Sequence, residues 1–370
     1  MRLVCLGLLV PVACAFASFG AGGVHVSVAG KRPAAVLGKP WAVRLAVRPA
    51  SFRGTVAVTA TGSKRLHARA TRRQGAYRVR LTFPAAGRWR LTARAGGSTS
   101  QLGTVLVAAA PLVFREPTSI DLEPTGTLLL VENNPGRLLR VDPATGRVTA
   151  LVPAMTRPYA VVRASSGDLF VSTGSRVERI GSSGTRTTVV DAGTDVGPLA
   201  VSPGGDVYYA TGTQVFRLAG GSGPPIRVAG TGVQGGGGDG GPALDAQLAA
   251  PHGLALAADG ALLVSDAGNG RLGRIDPVSG VISTLAQVGR PDGLDVLADG
   301  SIVVVDGQDD RVVHLTPSGT RIGFVGRVFT TAYDVEAAPG GVTYVLEAGP
   351  AGRIRRVAAD GTVTTVSRRG

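Results

Sequence analysis

With 370 residues the chain is long enough for two domains with apolar cores, and 55 glycines beside 5% aromatic residues suit short strands joined by many turns. Both cysteines, Cys5 and Cys14, fall in an apolar N-terminal segment, and without it the chain has no thiol, disulfide or cysteine-held metal. The formal charge of +14 is unevenly held: Met1 to Arg115 contain 18 Lys and Arg and no Asp or Glu, whereas the remainder holds 21 basic and 25 acidic residues. Two modules with different surfaces are implied.

The first segment opens with Arg2, runs apolar from Leu3 to Phe19 and offers small residues at Ala15 and Ala17, the layout of a secretory signal over residues 1–17. Broken by Gly7 and Pro11, it is a poor membrane span, so no transmembrane helix is expected in the mature chain. A lesser reading puts a lipid on Cys14, after Val12-Ala13, with Pro11 where such signals usually carry Leu. An uncleaved anchor is a third. In each case the rest of the protein is expected outside the cytoplasm, secreted or held at the cell envelope.

Residues 24–107 alternate apolar and polar over His25–Val28, Trp41–Val47, Thr55–Thr61, Tyr77–Phe83 and Trp89–Ala95. In Tyr77-Arg78-Val79-Arg80-Leu81 and Trp89-Arg90-Leu91-Thr92-Ala93-Arg94 one face is apolar and the other arginine. A small β-sandwich of immunoglobulin type is predicted, without the cysteine pair of antibody domains. Its basic face suits an anionic envelope surface, such as lipid head groups, a wall polymer or an acidic polysaccharide. The absence of a recognition helix or an aromatic-interleaved basic stripe argues against nucleic acid. The plainer alternative is a solvated face on an arginine-rich protein.

A linker follows at 108–111, and residues 112–370 then read as repeats. Pro251 to Leu285 is the clearest unit: four short apolar runs separated by Asp259-Gly260, Asn269-Gly270 and Asp276 to Gly280, the dipeptides and glycines that tight turns need. First-turn glycines recur at Gly126, Gly167, Gly205, Gly260, Gly300 and Gly341, spaced by 41, 38, 55, 40 and 41 residues. Four strands at a period near 40 predict a six-bladed β-propeller, so the whole is expected to be all-β. The long spacing marks a glycine-rich insertion, and the ring closes either by plain blade packing or with Leu112-Val113-Phe114 paired to the last blade as a clasp.

Several strings here carry a resemblance. Gly230-Thr231-Gly232, Gly238-Asp239-Gly240-Gly241-Pro242-Ala243, Ala246-Gln247-Leu248, Pro251-His252-Gly253 and Ser265-Asp266-Ala267-Gly268-Asn269 resemble NHL-repeat propellers. That resemblance implies six blades and a protein or small-molecule ligand on one face. The run Gly230 to Gly241 lacks the lysine and helix of a nucleotide cradle. It reads instead as a loop from the rim of blade 3 to the centre of blade 4, with Asp239 turning the backbone or ordering the loop over the channel mouth.

Aligned on the turn glycines, the residues before the inner strands are Thr118, Tyr159, Gly197, His252, Asp292 and Tyr333, a polar and aromatic ring suited to a small ligand. Three positions further on, Asp121, Asp295 and Glu336 fall in blades 1, 5 and 6, neighbours in a closed ring. They suit either a divalent cation or pairing with arginines and backbone amides. Glu132, Asp266, Asp306 and Glu347, after the second strands, read as acceptors for turn amides.

Arg290-Pro291-Asp292-Gly293-Leu294-Asp295, with Ala298-Asp299-Gly300, is similar to the metal-binding repeat of the gluconolactonase and senescence-marker-protein lactonases. That similarity implies Asp292 as a calcium or zinc ligand, with His252 in the place of an Asn ligand and Thr118 where a Glu is expected. Two functions follow. The first is an exported, monomeric binding module without a cofactor. The second is a lactonase-type hydrolase holding Ca2+ or Zn2+, with Asp292 as ligand, His252 as ligand or catalytic base, and Asp121, Asp295 or Glu336 completing the site. A purely adhesive role is a third.

Overall fold

A computed structural model describes residues 24–367, apart from 31, 37, 49, 74–75, 109–111 and 327. The expected signal at 1–17, with Cys5 and Cys14, and residues 109–111 of the expected linker lie outside the described residues. The described residues form two compact units, one on either side of residues 109–111. Among the described residues no helix is long and apolar enough to cross a membrane.

Among the described residues of the first unit, nine strands form two sheets. Strands β1 (His25–Val28), β3 (Pro40–Arg48), β7 (Ala76–Thr82) and β6 (Thr71–Arg73) make one, in that order. The other runs β2 (Ala35–Val36), β9 (Ser98–Ala108), β8 (Gly87–Ala95), β4 (Val56–Thr61) and β5 (Arg65–Arg69). Strict alternation puts Trp41, Val43, Leu45, Tyr77, Val79 and Leu81 of one sheet and Val56, Val58, Trp89, Leu91 and Ala93 of the other into one buried core. Each such large side chain contributes about 1.5–3 kcal/mol by burial. The buried indole of Trp89 donates to the Ala85 carbonyl at 3.0 Å, so no polar group is stranded. This is a two-sheet sandwich, and it has four strands that the alternation did not reveal: β2, β5, β6 and β9.

The second unit is a six-bladed propeller of six four-stranded antiparallel sheets, each in chain order. The inner strands are Pro117–Leu122, Pro158–Arg163, Leu199–Val201, Pro251–Leu256, Pro291–Val296 and Ala332–Ala338. Second strands such as Leu128–Glu132, Leu262–Asp266 and Ile302–Asp306 are buried along their whole length. Neighbouring blades cover both faces. Leu128 and Leu130 pack with Tyr344 and Leu346 of blade 6, while Leu129 and Val131 pack with Leu169 and Val171 of blade 2. Blade 1 therefore lies between blades 6 and 2, and the ring is closed.

The expected clasp is present. Phe114 exchanges two backbone hydrogen bonds with Gly352, at 2.8 and 2.9 Å, and the Leu112 amide donates to the Val366 carbonyl at 3.2 Å.

Buried carboxylates close each of four blades on itself. Glu132, Asp266, Asp306 and Glu347 end second strands at 0–1% exposure. They accept from the amides of Arg115, Ala249, Arg290 and Thr330, at the chain's return to the channel. Arg137, Arg271, Arg311 and Arg353 of the adjoining third strands neutralise them. Turn amides were expected here; the arginines are an addition.

Candidate functional site

Five of the six inner strands begin two or three residues before the apolar runs that mark them, and that of blade 3 begins with its run at Leu199. Just ahead of them Glu116, Arg157, Ala250 and Thr331 hold φ between 47 and 58°, a left-handed turn uncommon outside glycine. The register then slips between Pro117 and Ser119, Pro158 and Val161, Pro251 and Gly253, Pro291 and Leu294, and Ala332 and Asp334. The extra residues of these bulges include Thr118, Tyr159, His252, Asp292 and Tyr333. A bulge re-aims its side chain out of the ladder, so the ring of polar and aromatic residues is built by the backbone.

Behind this ring runs a channel of about 590 Å³ lined by all six inner strands. The Tyr159 and Tyr333 hydroxyls meet at 2.7 Å, with the rings edge to face, joining blades 2 and 6 across blade 1. Thr118 of blade 1 also lines the channel, and its buried hydroxyl has no partner. In blade 3 the ring position is Gly197, which adds no side chain.

Blades 4 and 5 supply the fixed polar centre. Asp292, 1% exposed, takes the His252 Nδ1 on one oxygen at 2.7 Å and Arg290 on the other, from Nε at 3.2 Å and Nη2 at 2.9 Å. A carboxylate accepts, so Nδ1 carries a proton, and the Nε2 side of the ring is left to the channel. His252 lines the channel at 33% exposure. Arg290 has no place in the sequence-derived ring, although it stands in the Arg-Pro-Asp-Gly string that drew attention to Asp292.

Deeper in the channel Asp121, Asp295 and Glu336 come together, as their shared ring position requires, and Asp334 joins them. Both Asp295 oxygens accept backbone amides, from Val296 at 2.7 Å and Ala337 at 2.8 Å. Glu336 accepts from the Leu122 amide at 3.1 Å, and Asp334 from Ile120 and Val335, both at 2.9 Å. Asp121 accepts from the Arg163 amide, and its Oδ2 has no partner. Burial, reinforced by the neighbouring carboxylates, raises Asp121 and Glu336 well above the usual range. Burial also pushes Asp295 up to about 6 and Asp334 up to about 7. The Tyr159 and Tyr333 phenols are raised by burial too.

These donors, as arranged, do not fit a calcium or zinc shell. Calcium takes six to eight oxygens and zinc four ligands, whereas Asp292 is held by a guanidinium and an imidazole, and Asp295 by two amides. Among the described residues no group of three or more His, Cys, Asp or Glu is arranged to hold a metal ion.

Asp239 is not at the channel mouth. It pairs with Arg271 at 3.2 Å, while the Gly240 amide donates to Ile282 and the Ile282 amide to Gly241. The insertion thus extends the outer edge of blade 4, drawn there by a guanidinium whose side chain is 5% exposed.

No family model matches the chain, and no curated protein matches it. Solved structures do. A Bacteroides thetaiotaomicron protein of unknown function is 15% identical, at a TM-score of 0.54 over 90% of this chain and 97% of that one. A Xanthomonas campestris gluconolactonase is 19% identical, at 0.53 over 66% of this chain and 86% of that one. An Agrobacterium tumefaciens calcium-binding protein, regucalcin, is 14% identical, at 0.53 over 71% and 96%. The shared property is the fold. At these identities the likeness fixes the propeller and leaves the chemistry to the site itself.

Proposed function

We propose that this protein is an extracytoplasmic binding protein whose propeller takes a small, polar, hydroxyl- or amine-bearing organic molecule into the channel mouth, with no resident metal. One observation carries the reading. Asp292 spends both oxygens on Arg290 and His252, which fixes the imidazole and leaves its second nitrogen to the channel. The unpartnered Thr118 hydroxyl and the Tyr159–Tyr333 hydroxyl pair add donors and acceptors around it. Leu254, Ala255, Ala200 and Val201 form an aliphatic wall in blades 3 and 4. A concave site with a few convergent polar groups against apolar surface suits such a ligand. The export signal read at residues 1–17 supports the location.

A second reading rests on the same pair. A histidine oriented by a buried carboxylate is the arrangement of a general base, and a gluconolactonase shares the fold. Under that reading His252 would activate water against a small ester or lactone without metal.

The test is a thermal-shift screen of polyols, sugars, lactones and amines in EDTA, with His252→Ala and Tyr159→Phe alongside, followed by assay of hits for hydrolysis. Stabilisation of the wild type that both variants lose supports the binding reading, and turnover lost with His252 supports the second. No stabilising compound, or equal stabilisation of the variants, contradicts both.

A further inference from the structure

We infer that the sandwich unit binds a linear polyanion that passes over both of its outer faces. Registers place the arginines in rows. On one face Arg44 of β3 sits directly opposite Arg78 of β7, and Arg80 lies beside Ala42. On the other, Arg69, Ala57 and Arg94 share one row across β5, β4 and β8, and Arg65, Thr61 and Arg90 share another. These arginines are exposed. Two strands apart, the paired arginines of each row are about 9–10 Å from one another, and the rows are about 13 Å apart. Between them lie Ala57, Thr59 and Thr61, small side chains that leave the guanidinium groups reachable.

Like charges directly opposite on antiparallel strands are destabilising. No Asp or Glu precedes Glu116, so the unit holds no carboxylate of its own to relieve them. The missing counter-charge is supplied by a ligand, and a guanidinium fork matches phosphate and carboxylate oxygens alike. The disposition selects the kind of ligand. A planar lipid surface meets one side of a sandwich, whereas basic rows stand on the outer faces of both sheets. Leu106, 69% exposed beside Arg88, is the sole large apolar side chain exposed among the described residues of this unit, so there is no wedge for a bilayer. A flexible chain with acidic groups at regular intervals fits both faces at once.

The experiment uses the full chain and two labelled probes, polyphosphate and polyglutamate, read by anisotropy at low and physiological salt. Three variants are compared: Arg44→Ser/Arg78→Ser/Arg80→Ser on one face, Arg65→Ser/Arg69→Ser/Arg90→Ser/Arg94→Ser on the other, and all seven. Thermal melts confirm folding, and Arg147→Ser/Arg321→Ser on the propeller is the charge control. The expected result is binding about tenfold weaker in each one-face variant, lost in the combined variant, changed less than about twofold in the control, and weakened about tenfold by physiological salt. Binding that survives the combined variant overturns the inference, as does its complete loss from one face with no effect from the other. Capture of anionic vesicles in preference to both polymers also overturns it.

Discussion

Glu336 of the last blade accepts a hydrogen bond from the Leu122 amide of the first at 3.1 Å, across the seam where the ring closes. The contact is one of a set. Asp295 takes the Ala337 amide of the next blade and Asp121 takes the Arg163 amide, at the same offset along each inner strand. An innermost strand is a sheet edge, and its inward amides would otherwise lack partners. The channel carboxylates thus fasten neighbouring blades through the backbone.

Replacing Glu336 separates this role from one of charge. Glu336→Gln keeps an acceptor and is expected to leave stability almost unchanged. Glu336→Ala strands the Leu122 amide and is expected to cost about 1–3 kcal/mol in urea unfolding of the propeller. Equal losses in the two variants would point to the charge instead.

Stability should also depend on pH in an unusual direction. Folding raises Asp295 to about 6 and Asp334 to about 7 from a normal value of 3.8, so the folded chain binds more protons than the unfolded one between those limits. Their contribution is fully present below pH 3.8 and is lost as pH rises through about 6 and 7. Surface carboxyls act oppositely: turn amides and Ser279 hold Asp276 at about 2, so its contribution fades only in strong acid. Melting temperature should therefore rise between pH 8 and pH 5, and Asp334→Asn should flatten that rise. A melting temperature that falls steadily over this range would contradict the assignment.

Much of this was legible in the residues. Glycine spacing marks six blades, and the alignment it provides brings Tyr159, His252, Tyr333, Asp121, Asp295 and Glu336 to the channel, with Asp292 buried beside His252. What the spacing lacks is the bulge. Counting along a regular strand puts Asp334 opposite Val345, whereas the slip at Tyr333 pairs it with Leu346, and its carboxylate accepts from the Ile120 amide of the next blade. The pairing of Arg290 with Asp292, two residues away, has no periodic signature. Strand β9 opens Ser-Thr-Ser-Gln and contains a glycine, so it lacks clean alternation. Asp239 was misplaced because its position depends on where a long loop docks, which is a tertiary matter.

The Arg271 pairings should be unequal. Asp266 is fully buried and accepts from Arg271 Nε at 2.9 Å, so Asp266→Ala leaves a buried cation short of its main partner at a cost of about 3–5 kcal/mol. Asp239 is 44% exposed, and Asp239→Ala should cost under about 1 kcal/mol while leaving ligand affinity intact. Thermal or urea melts of the two variants decide this, and reduced ligand affinity in Asp239→Ala would restore the loop to the channel mouth.

Gly307 offers a route to the site that touches no ligand-facing residue. A Cβ there would overlap both Asp292 Oδ2 and the Arg290 guanidinium, so Gly307→Ala must displace the Asp292–Arg290 pair and loosen His252. The expected outcome is a loss of about 1–3 kcal/mol in stability together with weaker binding of whichever compound the screen yields. Unchanged binding would show that the Asp292 bracket does not set the position of His252.

The most direct measurement is metal content after dialysis against excess calcium or zinc, with calorimetric titration of each ion, for the wild type and Asp292→Asn. With Asp292 committed to His252 and Arg290, the account predicts substoichiometric metal in both proteins and no heat of specific binding. One equivalent of tightly held metal in the wild type, lost in Asp292→Asn, would contradict it and make Asp292 a ligand after all.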